Sequence, residues 1–258
     1  MSIQSEFARL AREGERGALV TVVESHGRPE VGTRVLIHAD GSAEGTFDDS
    51  TLDAAARRYA EELMWGTERS EVRQEDGVTL FVDVTAPSPR LFIFGAVDFA
   101  LALCRTARVT GWRPYVIDPR SRFATKERFP EAEDVVAAWP DEAVAQLGGI
   151  DRATYIAILH HDPKLDDAAL AVAFDSETPY IGAMGSRRAQ AKRRERLEAA
   201  GIPLDQLERV SAPIGLDIGA LGSEETALSI MAEVVAVRNG HGGGRLMDSK
   251  GERIHEAV

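Results

Sequence analysis

Apolar positions along the chain change their spacing at about residue 90, and that change divides the elements into two groups. Before it, Ala18 to Val23 (ALVTVV) is a short β-rich run. Thr33 to Phe47 holds a second, and its Asp40-Gly41 pair signals a hairpin, since both residues tolerate the backbone of a tight turn. Leu52, Ala55, Ala56, Tyr59 and Leu63 recur at helical spacing, which predicts a helix through Gly66 with Ser50 as its cap. Val72 to Gln74, Asp76-Gly77 and Val78 to Val84 read as a further hairpin. The expected unit over residues 1–86 is a small α+β domain. Two prolines in Thr85 to Arg90 (TAPSPR) interrupt both strand ladders and helices, so the domain boundary is expected there.

From Leu91 onward, short continuous apolar runs alternate with helical patterns. Such runs suit parallel strands covered on both faces. Strands are predicted at Leu91–Phe94, Pro114–Ile117, Val135–Trp139, Tyr155–Leu159 and Tyr180–Met184. Helices are predicted near 97–110, 141–147, 165–175 and 186–200. A last helix runs to Arg238, with Ser223 as its cap and Leu228, Met231, Val234 and Val235 on its buried face. Strand–helix alternation of this kind argues for a doubly wound, Rossmann-like α/β domain over 91–238. Residues 239–258 are Gly-rich at the start and poor in apolar residues, so they are expected to form a flexible tail.

Composition narrows the function classes. The formal charge of −12 disfavours nucleic acid as the main partner, because anionic polymers are repelled on average. No apolar run approaches the roughly 20 residues of a membrane helix. Met1 to Arg12 lacks a basic start followed by an apolar stretch, which predicts no secretory signal. A single cysteine, Cys104, excludes intramolecular disulfides and suits the cytoplasm. A packed core thiol is its expected role.

Four segments are candidates for chemistry. Gly95-Ala96 joins an apolar strand to a helix, and Asp118 closes the next strand about 20 residues on, the spacing of a ribose-binding acid in dinucleotide folds. Val97 occupies the second glycine position of that fingerprint and obstructs close approach of a pyrophosphate, so NAD(P) is expected to bind poorly. The competing reading is a tight turn with Asp118 paired locally. His161 and Asp162 follow the fourth strand, where ligands of open α/β sheets bind. They suit proton transfer or ligand orientation, or else a structural turn. Adjacent strand residues point apart, so no metal site is expected. Gly182, Gly185, Ser186, Arg187 and Arg188 lie in YIGAMGSRR, where glycines, a serine cap and arginines at a helix start make an anion seat or a solvated face. Gly215 lies in APIGLDIGA (212–220), a loop that either closes a pocket or only connects elements.

Taken together, RFP (Arg128 to Pro130), HDPKLDD (His161 to Asp167), YIGAMGSRR (Tyr180 to Arg188) and PIGLDIGA (Pro213 to Ala220) resemble, in order and spacing, the XdhC/CoxI family. The chain resembles a divergent member. It has SHGRPEVG at Ser25 to Gly32, GTFDD at Gly45 to Asp49 and GAVD at Gly95 to Asp98, and it has Gln190 and Ser211 where the family has histidines. The resemblance implies a small N-terminal domain, a Rossmann-like domain, and an accessory role for molybdenum hydroxylases such as xanthine dehydrogenase and CO dehydrogenase. It further implies binding of molybdenum cofactor (molybdopterin) and its delivery to the hydroxylase apoenzyme, with a sulfurtransferase as a further partner. A cofactor chaperone is expected rather than a catalyst, and a homodimer is compatible with the sequence. The alternatives are an NAD(P)-dependent oxidoreductase and a ligand-incompetent regulatory paralogue acting by protein–protein contact.

Overall fold

The structure, a computed structural model, describes residues 2–160 and 162–248. It is mixed α/β and divides into two compact units, Met1–Pro87 and Ser88–Val258.

The first unit comprises α1 (Ile3–Glu13), β1 (Gly17–Glu24), β2 (Arg34–His38), β3 (Ala43–Glu44), α2 (Ser50–Trp65), β4 (Ser70–Glu75) and β5 (Val78–Thr85). Its strands form one antiparallel sheet in the order β3-β2-β1-β5-β4. Burial alternates along β5, with Val78, Leu80, Val82 and Val84 inside, as period-2 geometry requires of a sheet with one covered face. Leu52, Ala55, Ala56, Tyr59 and Leu63 of α2 pack on that face. The cap of α2 is Asp49 and not Ser50: its carboxylate accepts from the amides of Thr51 and Leu52, while Ser50 already has helical geometry. Helix α1 has no counterpart in the predicted elements. Ile3, Phe7 and Leu10 stand at helical spacing between the cap residues Ser2 and Gly14, and that pattern was the available signal.

The second unit comprises β6 (Arg90–Phe94), α3 (Asp98–Val109), β7 (Arg113–Ile117), β8 (Asp134–Val136), α4 (Pro140–Gln146), β9 (Thr154–Ile158), α5 (Pro163–Phe174), β10 (Ile181–Ala183), α6 (Arg187–Ala199), α7 (Leu204–Glu208), β11 (Val210–Ser211) and α8 (Ser223–Arg238). All its strands are parallel, in the order β11-β10-β9-β6-β7-β8. The chain winds outward from β6 through β7 to β8, then returns to place β9, β10 and β11 on the other side. This is the strand order of dinucleotide-binding folds. Alternation along β6 sends Leu91 and Ile93 to a core shared with α3 and α8, and Phe92 and Phe94 to a core shared with α4, α5, α6 and α7. Both faces are thereby covered.

Several expectations require correction here. Gly222, not Ser223, occupies the cap position of α8, and no side chain caps that helix. Leu228 is 56% exposed, because the face of α8 turned inward is set by Ala227, Ile230, Met231 and Val234, and Leu228 lies about 100° further round. The strand predicted to Trp139 ends at Val136, since Trp139 caps α4 and Pro140 opens it. Helix α7 and the two-residue β11 are too short to leave a periodic pattern. Of the expected tail, 241–245 has no helix or strand, Leu246–Asp248 forms a 3-10 turn, and 249–258 lies outside the described residues.

One buried ion pair links α5 to α6. The Asp166 carboxylate accepts from the Arg193 guanidinium at 2.6 Å, with both side chains buried. Neighbouring Asp167 and Arg196 form a half-exposed two-pronged pair. Two predictions follow from this architecture. Asp166→Ala leaves a buried guanidinium without its counter-charge and should cost about 3–5 kcal/mol, whereas Asp167→Ala should cost at most ~1 kcal/mol. Equal losses in denaturant unfolding would contradict that ranking. We also propose that the segment before β6 separates independently folded domains. Limited proteolysis should then leave a stable fragment beginning near Leu91, and its breakdown with no protected core would contradict two domains.

Candidate functional site

The order of the parallel sheet reverses between β6 and β9, and the connections leaving those two strands run to opposite sides. A crevice outside the carboxyl ends is the geometric result. Backbone bonds continue the ladder into its floor. The Gly95 amide donates to Ile117 O at 2.9 Å, Leu159 to Phe94 O at 2.8 Å, and Met184 to Ile158 O at 2.8 Å. Gly95 has φ +124, and a Cβ there would come within 3.2–3.3 Å of the His160 amide and ring. Glycine is therefore required to close the ends of β6 and β9 on each other. Val97, at the cap position of α3, offers no side-chain cap and rests half-buried against the α3–α8 core.

Asp118 has no accessible surface. Its carboxylate accepts from the Ala96 amide (2.9 Å), the Arg120 amide (3.0 Å) and two guanidinium nitrogens of Arg120 (2.9 and 2.8 Å). Burial alone would raise its pKa, but the bonds from Arg120 and Ala96 hold it below the usual carboxylate range. The carboxylate thus faces the protein, in the local pairing that was the alternative to a ribose contact. Arg120 remains 46% exposed and stacks on Phe123 at 5.0 Å.

Beneath the Gly95 turn lies His160, which is 2% exposed. Neither ring nitrogen has a hydrogen-bond partner among the described residues, and Nε2 is 3.7 Å from Asp118 Oδ2. Burial lowers its pKa, against the pull of Asp118 and Asp166. The imidazole is accordingly neutral near pH 7. His161, singled out from the sequence, lies outside the described residues. Asp162 is exposed and caps α5, its carboxylate accepting from the Lys164 amide at 2.9 Å.

The third group stands at the start of α6. Ser186 caps that helix, accepting from the Ala189 amide at 3.3 Å. Gly185 has φ +135, and Gln190 donates to the carbonyls of Ala183 and Gly185 at 3.2 Å each, which stiffens the turn. Arg187 and Arg188 are exposed and have no carboxylate partner among the described residues. By contrast, Arg193, Arg194 and Arg196 pair with Asp166, Glu198 and Asp167. The helix is basic throughout, and among the described residues Arg187, Arg188 and the exposed Lys192 carry charge that no carboxylate offsets.

Gly182 and Gly215 have filled surroundings. A Cβ on Gly182 would strike Ile214 and the Tyr180 hydroxyl at 2.5 Å, and one on Gly215 would strike Ser229 Oγ at 2.4 Å. These glycines let the 212–220 loop press onto β10 and α8. Glu233 ties the arrangement, accepting from the Gly215 amide at 2.7 Å and from the Tyr180 hydroxyl. The structure therefore brings Gly95, Ala96 and Asp118 together, and separately Gly185, Ser186, Arg187 and Arg188, all at the carboxyl ends of the sheet. A pocket between α6 and α7, lined by Gln190, Arg193, Leu197, Leu207 and Val210, contains none of these residues.

Cys104 is buried in α3, and burial pushes its thiol up to about 12, so it is protonated and unreactive. Among the described residues, no three His, Cys, Asp or Glu side chains stand close enough to hold a metal ion. Nor is any described helix long and apolar enough to cross a membrane. Sequence reasoning missed His160, Arg120 and Phe123. An acid followed two positions later by arginine (DPR, 118–120) was the available signal for Arg120.

Comparison with known proteins agrees with this fold. Residues 91–234 match the model of the XdhC Rossmann domain, and residues 10–74 match that of the XdhC and CoxI family. The chain is 25% identical over its whole length to YqeB of Escherichia coli (strain K12), covering 50% of that protein. It is 31% identical to a protein of Bacillus subtilis (strain 168) named as a probable xanthine dehydrogenase subunit, over 62% of this chain and 46% of that one. The chain thus spans about half the length of these two relatives. With the molybdenum cofactor insertion chaperone PaoD of E. coli (strain K12) it shares 26% identity, over 87% of this chain and 84% of that protein. A solved structure described as a xanthine dehydrogenase from Bacillus halodurans superposes with a TM-score of 0.54 at 19% identity, over 97% of this chain and 98% of that one, a likeness of fold alone. The Rossmann-domain match alone covers more than half of the sequence, and the chain belongs to the XdhC and CoxI family.

Proposed function

We propose that the protein is an accessory factor that binds molybdenum cofactor as cargo and delivers it to a molybdenum hydroxylase of the xanthine dehydrogenase or CO dehydrogenase type. The observation that carries this reading is the free charge at the start of α6. A capped helix N-terminus, a glycine turn and two arginines with no carboxylate partner among the described residues match the needs of a phosphate group. The pterin phosphate would sit over Gly185 and Ser186, with Arg187 and Arg188 as charge-assisted donors. His161 and Asp162 would contact the other end of the cargo, and Gly95, Ala96 and Asp118 would shape the crevice floor. Gly182 and Gly215 act through packing in this reading, holding the 212–220 loop in place. The names of the B. subtilis and E. coli relatives support the hydroxylase partner and the cargo. The proposed setting is the cytoplasm, with a sulfurtransferase as an additional partner and a homodimer as the working form.

Holding and releasing an anion is what these residues do; no covalent step is required of them. The cofactor supplies its own redox chemistry once it is in the hydroxylase. An NAD(P)-dependent oxidation fits less well, because the acid that would hold a ribose is consumed by Arg120 and Ala96.

Two expected outcomes test the reading. Arg187→Ala or Arg188→Ala should weaken molybdopterin binding about tenfold to a hundredfold, as loss of one charge-assisted contact of roughly 1.5–3 kcal/mol implies. Arg194→Ala, two turns along, should change it little. Three variants that all bind like the parent would leave the basic run a solvated face. Separately, calorimetric titration should find NADH and NADPH weaker than low-micromolar, and a low-micromolar constant for either would restore the oxidoreductase.

A further inference from the structure

The cavity between α6 and α7, which reaches the edge strand β11, plays no part in the crevice. Its volume is about 180 Å³, and its wall is apolar: Leu197 and Leu207 are buried, with Val210 and Ala212 beside them. An apolar cavity of about 150 Å³ admits a benzene molecule. One six-membered ring, or a branched chain of that size, therefore fits here.

The charged residues on the lining are both arginines. Arg194 is half-exposed, and its Nε donates to Glu198 at 2.9 Å. Such an exposed pair is weak, and the two terminal nitrogens of Arg194 have no hydrogen-bond partner among the described residues. Arg193 is 6% exposed, and its Nε is a buried donor with no partner among the described residues. Asp166 offsets the charge of Arg193, so Arg194 supplies the attraction for an anion and Arg193 only a further donor. A phosphate dianion would lose more hydration here than an apolar wall and one free guanidinium edge return. A carboxylate matches that edge with its two oxygens.

Two residues of the lining also hold the turn that precedes α6. Gln190 donates to the carbonyls of Ala183 and Gly185 at 3.2 Å each. Arg193 donates to Met184 O at 3.1 Å and to the side-chain oxygen of Gln190. All three carbonyls of residues 183–185 are thus fixed by side chains that face the cavity.

We propose that this cavity is a second binding site, for a small carboxylic acid with one ring or a branched apolar chain, and that its occupancy shifts the turn at 183–186 through Gln190 and Arg193. The ring lies on Leu197, Leu207 and Val210, and the carboxylate reaches Arg194. An acceptor drawn to Arg193 changes the set of the guanidinium that holds Gln190 and Met184 O. The binding site stands on the cavity; only its meaning as control of the cargo seat rests on the function proposed above.

The probe is cyclohexanecarboxylate, titrated into the full-length protein and followed by amide NMR. Its saturated ring has no ring current, so distant shifts report a change in the protein. Saturable shifts are expected at 190–197 and 207–212 and, at the same concentrations, at 183–186. Acetate has the same charge without the ring and should bind more than tenfold more weakly, since it buries almost no apolar surface. Arg194→Ala should weaken cyclohexanecarboxylate about threefold to fivefold, the scale of a half-exposed ionic contact, with an unchanged thermal midpoint. Arg187→Ala should bind it as the parent does. The site is overturned if acetate binds equally well, if Arg194→Ala binds as the parent does, or if Arg187→Ala weakens binding as much, which diffuse attraction would produce. Shifts at the lining with none at 183–186 overturn the link to the turn. Failure of the cargo reading shows instead in the molybdopterin titrations and leaves all these shifts in place.

Discussion

A carboxylate removed entirely from water is tolerable only where donors surround it, and Asp118 is such a group. Its donors are the Ala96 amide, the Arg120 amide and the Arg120 side chain. Each belongs to a piece of chain that the crevice needs in place. Ala96 belongs to the turn from β6 to α3, and Arg120 to the start of the connection leaving β7. One buried charge thereby fixes the strand-to-helix turn and the arginine beside it in a single geometry, with the His160 ring wedged beneath. Loss of that carboxylate would release the turn and the arginine at once.

Legibility in the sequence followed burial. The parallel strands were readable because a sheet covered on both faces demands continuous apolar runs, as in RLFIF, RPYVI and TYIAI. The antiparallel hairpins were readable from Asp40-Gly41 and Asp76-Gly77, and the glycine turns at Gly95 and Gly185 from their place between strand and helix. Short elements were not: α7 is five residues long and β11 two. The cap of α2 was ambiguous because Asp48, Asp49, Ser50 and Thr51 can all cap, and backbone geometry alone selects Asp49.

In the candidate site, the motifs pointed to segments at the strand ends but not to what each side chain does there. Whether a residue just past β9 turns inward depends on where the strand ends, a property of the ladder that periodicity does not fix, and His160 does turn inward. Likewise, the arginines of α6 look equivalent in sequence. Only their partners on α5 and within α6 separate the committed charges of Arg193, Arg194 and Arg196 from the free ones of Arg187 and Arg188. Gly182 and Gly215 have the appearance of ligand-binding glycines, yet what lies over their Cα atoms is protein.

The pairing along α6 has a consequence for encounters in solution. A helix that offsets the charges of Arg193, Arg194 and Arg196 with carboxylates and leaves Arg187 and Arg188 at its start unoffset gives the Rossmann unit a directional field rather than a uniform one. In a chain of net charge −12, an approaching anion meets repulsion from most directions and attraction from the rim of the crevice. The same field exerts a torque on the molecule near a charged surface, turning the rim toward it before contact. Such pre-alignment shortens the orientational search on which association rates depend, and added salt weakens it over a Debye length of about 8–10 Å.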